Sequence, residues 1–150
     1  MDGLIQMDGL IACIENCKGN SSEPQDIQEV FMYVKNYCRF SKAAATESAK
    51  YKTLVLDLKT KCFVSPEDIK QPLLEQEEIK KLLDAYNKKL LDAYKILKEY
   101  ASTVPQVFVR DSGGWVYVGG SENFIALITA SNNTSTPTQS MTAGFQAVKF

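Results

Sequence analysis

Histidine is absent from all 150 residues. Its absence excludes Ser-His-Asp and Cys-His catalysis and any zinc site with an imidazole ligand. Neither sign of charge is in excess: 17 Lys and Arg stand against 18 Asp and Glu, so the balance gives no argument for nucleic acid as a partner. No apolar run reaches the roughly 20 residues of a membrane span, and no membrane partner is expected. The chain opens Met-Asp-Gly-Leu-Ile-Gln, without the basic start and long apolar centre of a secretion signal. Cysteine is sparse and irregular, at positions 13, 17, 38 and 62. That spacing argues against a disulfide-stapled secreted fold and for a reducing, cytoplasmic location. With histidine missing, cysteine is the leading candidate for any covalent chemistry. What is present, 45% hydrophobic residues in an otherwise ordinary composition, suits one domain with a real core.

The N-terminal stretch repeats Met-Asp-Gly-Leu-Ile after six residues. From there Leu10, Ile11, Ile14 and Cys17 recur at helical spacing. Cys13 and Cys17 share a face of that helix; they are read as small apolar residues packing on the core rather than as a metal or redox pair. A loop over 18–25 leads to a strand over 29–35, a turn at Cys38 and a short helix over 42–50. Leu54-Val-Leu-Asp-Leu58 is nearly all apolar, which predicts a buried second strand, parallel to the first because a helix intervenes. Residues 59–66 read as a connector, and Ser65-Pro-Glu-Asp68 as the start of a helix running to about Tyr100. Within it Lys-Lys-Leu-Leu-Asp-Ala-Tyr occurs twice, at 80–86 and 88–94. That places Leu82 with Leu90, and Tyr86 with Tyr94, near one face, a face read as packing on its own domain. Pro72 is expected to kink or split this helix.

Residues 102–109 predict a strand introduced by Pro105, 110–114 a turn, and 115–118 a returning strand. Gly119-Gly-Ser-Glu122 precedes a closing helix over 123–128. Residues 131–140 are polar and of low complexity and predict a disordered tail, so the domain is drawn over 1–131 and the tail over 132–150. Asn132 and Asn133 satisfy the glycosylation tripeptide, which without a secretion signal is read as chance.

Chemistry points to Cys38. Strand formers end in Lys35-Asn-Tyr37, and the cysteine opens a helix rich in alanine. At a helix N-terminus the free amides and the macrodipole favour an anion, which lowers a thiol's pKa. Lys35 and Arg39 are expected to push the same way. Cys38-Arg-Phe-Ser41 is a Cys-x-x-Cys motif whose second thiol is a hydroxyl.

Taken with Thr103-Val104-Pro105 and Gly119-Gly120-Ser121-Glu122, the motif Lys35-x-x-Cys38-x-x-Ser41 resembles the glutaredoxin family over about residues 4–130. The resemblance implies an α/β thioredoxin-like fold, with a central mixed four-stranded sheet made from a parallel βαβ unit and an antiparallel hairpin. Helices flank it, and an extended helix precedes the Pro strand. It further implies a cis Pro105 against the catalytic Cys38, with the Val104 backbone pairing with the cysteinyl part of glutathione. Lys35 would meet the glycyl carboxylate, and the amides of Ser121 and Glu122, behind Gly119 and Gly120, the γ-glutamyl carboxylate. Tyr37, Phe40 and Thr103 complete the expected glutathione-binding set, and Ser41 joins Cys38 as the catalytic pair.

The expected activity is therefore glutathione-dependent thiol–disulfide exchange through one thiol, with glutathione as co-substrate and glutathionylated proteins as partners of a monomer. The alternative is a dimer bridged by a [2Fe–2S] cluster, with Cys38 and glutathione as ligands. Three departures stand out. Asn123 replaces a frequent Asp. The span from Cys38 to Pro105 is long, leaving Gln71, Gln76 and Lys81 all open as the polar contact from the preceding helix. Arg39 replaces the glycine of the iron–sulfur branch. Cys62 is read as structural, or as a substitute resolving thiol.

Overall fold

The segment Glu29-Val-Phe-Met-Tyr-Val34 alternates large aromatic with aliphatic side chains, and every one of its six residues is buried. A strand buried on both faces must lie in the middle of a sheet, which fixes the architecture around it. The computed structural model describes residues 7–135 and, of residues 131–135, the backbone alone. In chain order the elements are α1 (Met7–Asn16), β1 (Glu29–Val34), α2 (Arg39–Ser48), β2 (Lys52–Asp57), β3 (Cys62–Val64), α3 (Glu77–Leu97), β4 (Gln106–Asp111), β5 (Gly114–Gly119) and α4 (Ser121–Ser135). The protein is α/β, with one five-stranded mixed sheet in the order β3-β2-β1-β4-β5. β2 runs parallel to β1, pairing Val34 with Asp57. β4 is antiparallel to β1, β5 to β4, and β3 to β2.

The two faces of the sheet are chemically different, and the period-two alternation of the strands makes them so. Phe31, Tyr33, Leu54, Leu56, Phe108 and Tyr117 point to one face, under Met7, Leu10 and Ile14 of α1 and Leu83, Leu90 and Leu97 of α3. Val30, Met32, Val34, Val55, Val107 and Val109 point to the other, where Ala44 and Ala45 of α2 and Phe124 and Ile128 of α4 cover them. Small alanines let α2 approach the valine face closely, and that approach brings the N-terminus of α2 to the end of β1. No helix among the described residues is long and apolar enough to cross a membrane.

Several expectations need correcting. The sheet has five strands rather than four, because Cys62–Val64 in the supposed connector forms an antiparallel edge strand. Three residues are too few to show a periodicity. Residues 65–76 are not helical: Ser65 N–H donates to Gln71 O and Leu73 N–H to Phe63 O, so the chain doubles back along β3 with Pro72 in an isolated bridge to Val64. Proline, with no N–H to donate, fits an edge and not a helix interior. The acids behind Pro66 therefore belong to a turn, and α3 starts at Glu77.

The tandem repeat in α3 is not used symmetrically. Eight residues turn a helix by about 80° beyond two full turns, whereas seven leave it about 20° short. Leu83, Leu90 and Leu97, seven apart, are the buried leucines of α3, while Leu82 is only half-buried. α2 begins at Arg39 rather than 42, and Thr103-Val104-Pro105 precedes β4 rather than lying in it. α4 runs on to Ser135, into the stretch read as a tail; residues 136–150 lie outside the described residues.

Candidate functional site

Cys38 occupies the N-cap of α2, in extended backbone (φ −92°, ψ 123°), and its thiol makes no side-chain cap bond. An N-cap side chain ordinarily accepts from the amides two and three residues on. Here those are Phe40 and Ser41, whose amides favour an ionised sulfur. Burial opposes ionisation of Cys38, but the Ser41 amide and hydroxyl, the Phe40 amide and the Arg39 charge together outweigh it and hold the thiol below its ordinary value. The ionised sulfur is thus the cap that its helix otherwise lacks. Arg39 supplies the nearby charge. Lys35 acts instead on Tyr94 of α3, where burial pushes the phenol up and the Lys35 charge pulls it part of the way back.

Ser41 is fully buried, and its Oγ accepts from the Lys35 N–H at 3.2 Å. That bond joins the end of β1 to the first turn of α2 and leaves the hydroxyl proton for the sulfur. Cys38 N–H donates to Lys35 O at 2.9 Å and closes the intervening turn. A further clamp comes from Asp57, a fully buried carboxylate at the end of β2. Its Oδ1 accepts from the Asn36 and Lys59 amides at 3.1 Å each, and its Oδ2 from the Thr60 hydroxyl at 2.8 Å. In the sequence Asp57 is only the one acid of an apolar strand. The available signal was a lone carboxylate closing a buried run, a position that demands several donors.

The second expected motif lies against the sulfur. The Val104–Pro105 peptide is cis, and Val104 O is 3.9 Å from Cys38 Sγ. At that length the contact is too weak to hold the thiol proton in place. Pro105 is buried, Val104 half-buried and Thr103 exposed. The loop is anchored from beneath by Gln106, whose Nε2 donates to Thr103 O at 2.6 Å and lies 3.2 Å from Thr103 Oγ1. The Tyr117 hydroxyl donates to Gln106 Oε1. Nothing in the sequence marks Gln106 or Tyr117 as a pair, because eleven residues and the β4–β5 turn separate them.

The third motif adjoins the second. A methyl group on Gly120 would sit 3.8 Å from Pro105 O, so the start of α4 abuts the proline loop. Gly119 has φ +114°, and a Cβ there would lie 2.7 Å from Asn123 Nδ2. Asn123 turns its amide back to Val118 O, at 3.1 Å. Ser121 and Glu122, opening a fifteen-residue helix, have amides with no partner within that helix. The Cys38 turn therefore meets the 103–105 loop at the sulfur, and the start of α4 adjoins that loop at Pro105.

Tyr37 and Phe40 flank Cys38 and are 64% and 52% exposed. Of the three polar residues expected from the preceding helix, Gln71 lies in the loop beside β3, Gln76 sits at the N-cap position of α3 without a side-chain cap bond, and all three of Gln71, Gln76 and Lys81 are exposed. Tyr94 is the α3 side chain that the Lys35 charge reaches. Cys13 and Cys17 pack against the aromatic core, and burial, then Cys17, pushes the Cys13 thiol up to about 11. Cys62 is exposed rather than buried in a structural role.

Two surface grooves lie elsewhere. One of about 460 Å³ is bounded by Ser21–Pro24 and α4, and one of about 400 Å³ by β3, residues 72–75 and α3. Neither is lined by Cys38. Among the described residues no group of three or more Cys, Asp or Glu side chains comes together to hold a metal ion. Comparison with protein-family models, with curated proteins and with solved structures finds no match.

Proposed function

We propose that the chain is a glutathione-dependent thiol–disulfide oxidoreductase of thioredoxin-like architecture, working through the single thiol of Cys38. The observation that carries this reading is the convergence of the Cys38 helix cap, the Val104–Pro105 loop and the N-terminus of α4. The order β2-β1-β4-β5, with one parallel and two antiparallel pairings, is compatible with that architecture, and β3 adds an edge to it.

The Cys38 thiolate attacks the glutathione sulfur of a protein–glutathione mixed disulfide. A Cys38–glutathione S–S bond forms, the original S–S bond breaks, and the protein leaves as a thiolate that takes a proton from water. A second glutathione thiolate then attacks the glutathione sulfur on Cys38, giving oxidised glutathione and returning the Cys38 thiolate. The net exchange consumes one free glutathione per mixed disulfide and yields the protein thiol and oxidised glutathione, with no change in the number of disulfide bonds. Ser41 has no sulfur with which to form an internal disulfide, so the adduct waits for the second glutathione.

A low thiol pKa serves both halves, as nucleophile in the first and as leaving group in the second. Bound glutathione would pair its cysteinyl backbone with Val104, set its γ-glutamyl carboxylate at the Ser121 and Glu122 amides, and direct its glycyl carboxylate to Lys35. Purified protein supplied with glutathione, glutathione reductase, NADPH and a small glutathionylated disulfide is expected to consume NADPH, and Cys38→Ser to abolish that consumption. Undiminished turnover by Cys38→Ser, or none by the native chain, overturns the proposal.

A further inference from the structure

The overall charge is balanced, but its distribution around Cys38 is not. Residues 35–46 and 58–62 contain Lys35, Arg39, Lys42, Lys59 and Lys61 and no acidic residue. Arg39, Lys42, Lys59 and Lys61 are exposed, and among the described residues none of the five is in an ion pair. Asp57, at the head of the second stretch, is buried and holds amides of the two turns, and the exposed Glu47 of α2 follows the first stretch two turns of helix beyond Cys38.

Two of these cations sit on the aromatic rings that bracket the thiol. Lys59 Nζ is 5.4 Å from the Tyr37 ring centroid, and Arg39 Cζ is 4.9 Å from that of Phe40. The hydrogen bonds of Asp57 to Asn36 and Lys59 bring the second turn beside the first, which is why Lys59 reaches Tyr37. Stacking of this kind holds a ring in one orientation and keeps a positive charge at its rim. Exposed, pre-oriented aromatics surrounded by one sign of charge are a surface for a partner of the opposite sign.

We propose that this surface docks an extended acidic segment of the target protein, the segment that carries its glutathionylated cysteine, and so selects substrates by charge. The inference rests on the oxidoreductase reading and deepens it by naming the substrate class. A protein substrate delivers its mixed disulfide to Cys38 on the chain that carries the cysteine, and the rim calls for acids beside that cysteine. Glu122 is the acid on the opposite, α4 side of the site, which leaves the preference to the side formed by α2 and the 58–62 turn.

The test compares two glutathionylated peptides of equal length, one with Asp and Glu flanking the cysteine and one with Lys. Turnover of a small glutathionylated disulfide serves as the reference for each protein. A few exposed charge pairs acting together favour the acidic peptide by about tenfold in kcat/KM at low ionic strength. Salt shrinks the preference, and the double variant Lys42→Glu/Lys59→Glu inverts it. Equal kcat/KM on both peptides, with the small disulfide turned over, overturns the docking inference and leaves the oxidoreductase standing. Failure on the small disulfide itself removes both.

Discussion

Replacing Asp57 tests whether the turn presenting Cys38 is held by the neighbouring strand. The carboxylate is fully buried and accepts three hydrogen bonds, from Asn36 N–H, Lys59 N–H and Thr60 Oγ1. Truncation to alanine strands these donors unequally. Lys59 and Thr60 are exposed and can turn to water, whereas Asn36 is half-buried at the end of β1. An unsatisfied buried donor costs about 1–3 kcal/mol, and the lost charge-assisted bonds add to it. Alanine also escapes the desolvation that a buried carboxylate bears, several kcal/mol in the general case, which keeps the net from growing.

We expect Asp57→Ala to lose about 2–4 kcal/mol, a large part of the ~5–15 kcal/mol of an ordinary domain. Asp57→Asn keeps an oxygen for both amides and can donate to Thr60 Oγ1, so it should lose about 1 kcal/mol, the difference between charged and neutral acceptors. Urea denaturation at neutral pH, with slopes matched between variants, reads both numbers. An alanine variant within ~0.5 kcal/mol of the native protein would mean that water serves these donors as well as the carboxylate does, and the clamp would be discarded.

Gly119→Ala should destabilise by about 1–3 kcal/mol, since φ +114° is strained for any side chain and the new methyl meets Asn123 at 2.7 Å. Gly120→Ala, 3.8 Å from Pro105 O, should be tolerated; equal losses in thermal or urea unfolding would refute this. In the repeat, Leu90→Ala should cost about 2–5 kcal/mol and Leu82→Ala much less, although the two leucines are equivalent in the repeated sequence. The Cys13 thiol, raised by burial and by Cys17 from 9.0 to about 11, favours the fold while protonated. Its contribution is intact below pH 9.0 and fades as pH rises toward about 11. Cys13→Ala should therefore lose less stability over that window than the native chain, and identical losses would count against the assignment.

The sequence by itself determined what depends on near neighbours. The first strand announces itself by an unbroken run of strand formers, the second its burial by a nearly all-apolar one, and Cys38 is placed at a helix start by the change from strand formers to alanines. Gly119 and Pro105 each mark a backbone geometry that other residues resist.

Tertiary structure decided what depends on a partner remote in the chain. A three-residue β3 exists only because β2 offers it an edge, and residues 71–73 return to cover it. Asp57 is a clamp only because parallel pairing sets it opposite Val34, within reach of the Asn36 amide. Gln106 supports the Pro105 loop because Tyr117 crosses from β5 to meet it. Identical Leu-Leu-Asp-Ala-Tyr copies bury different members because the helix turns by a fraction that eight residues do not divide. Local propensity specifies a conformation, while burial and buried hydrogen bonds need two surfaces, and a linear sequence shows one at a time.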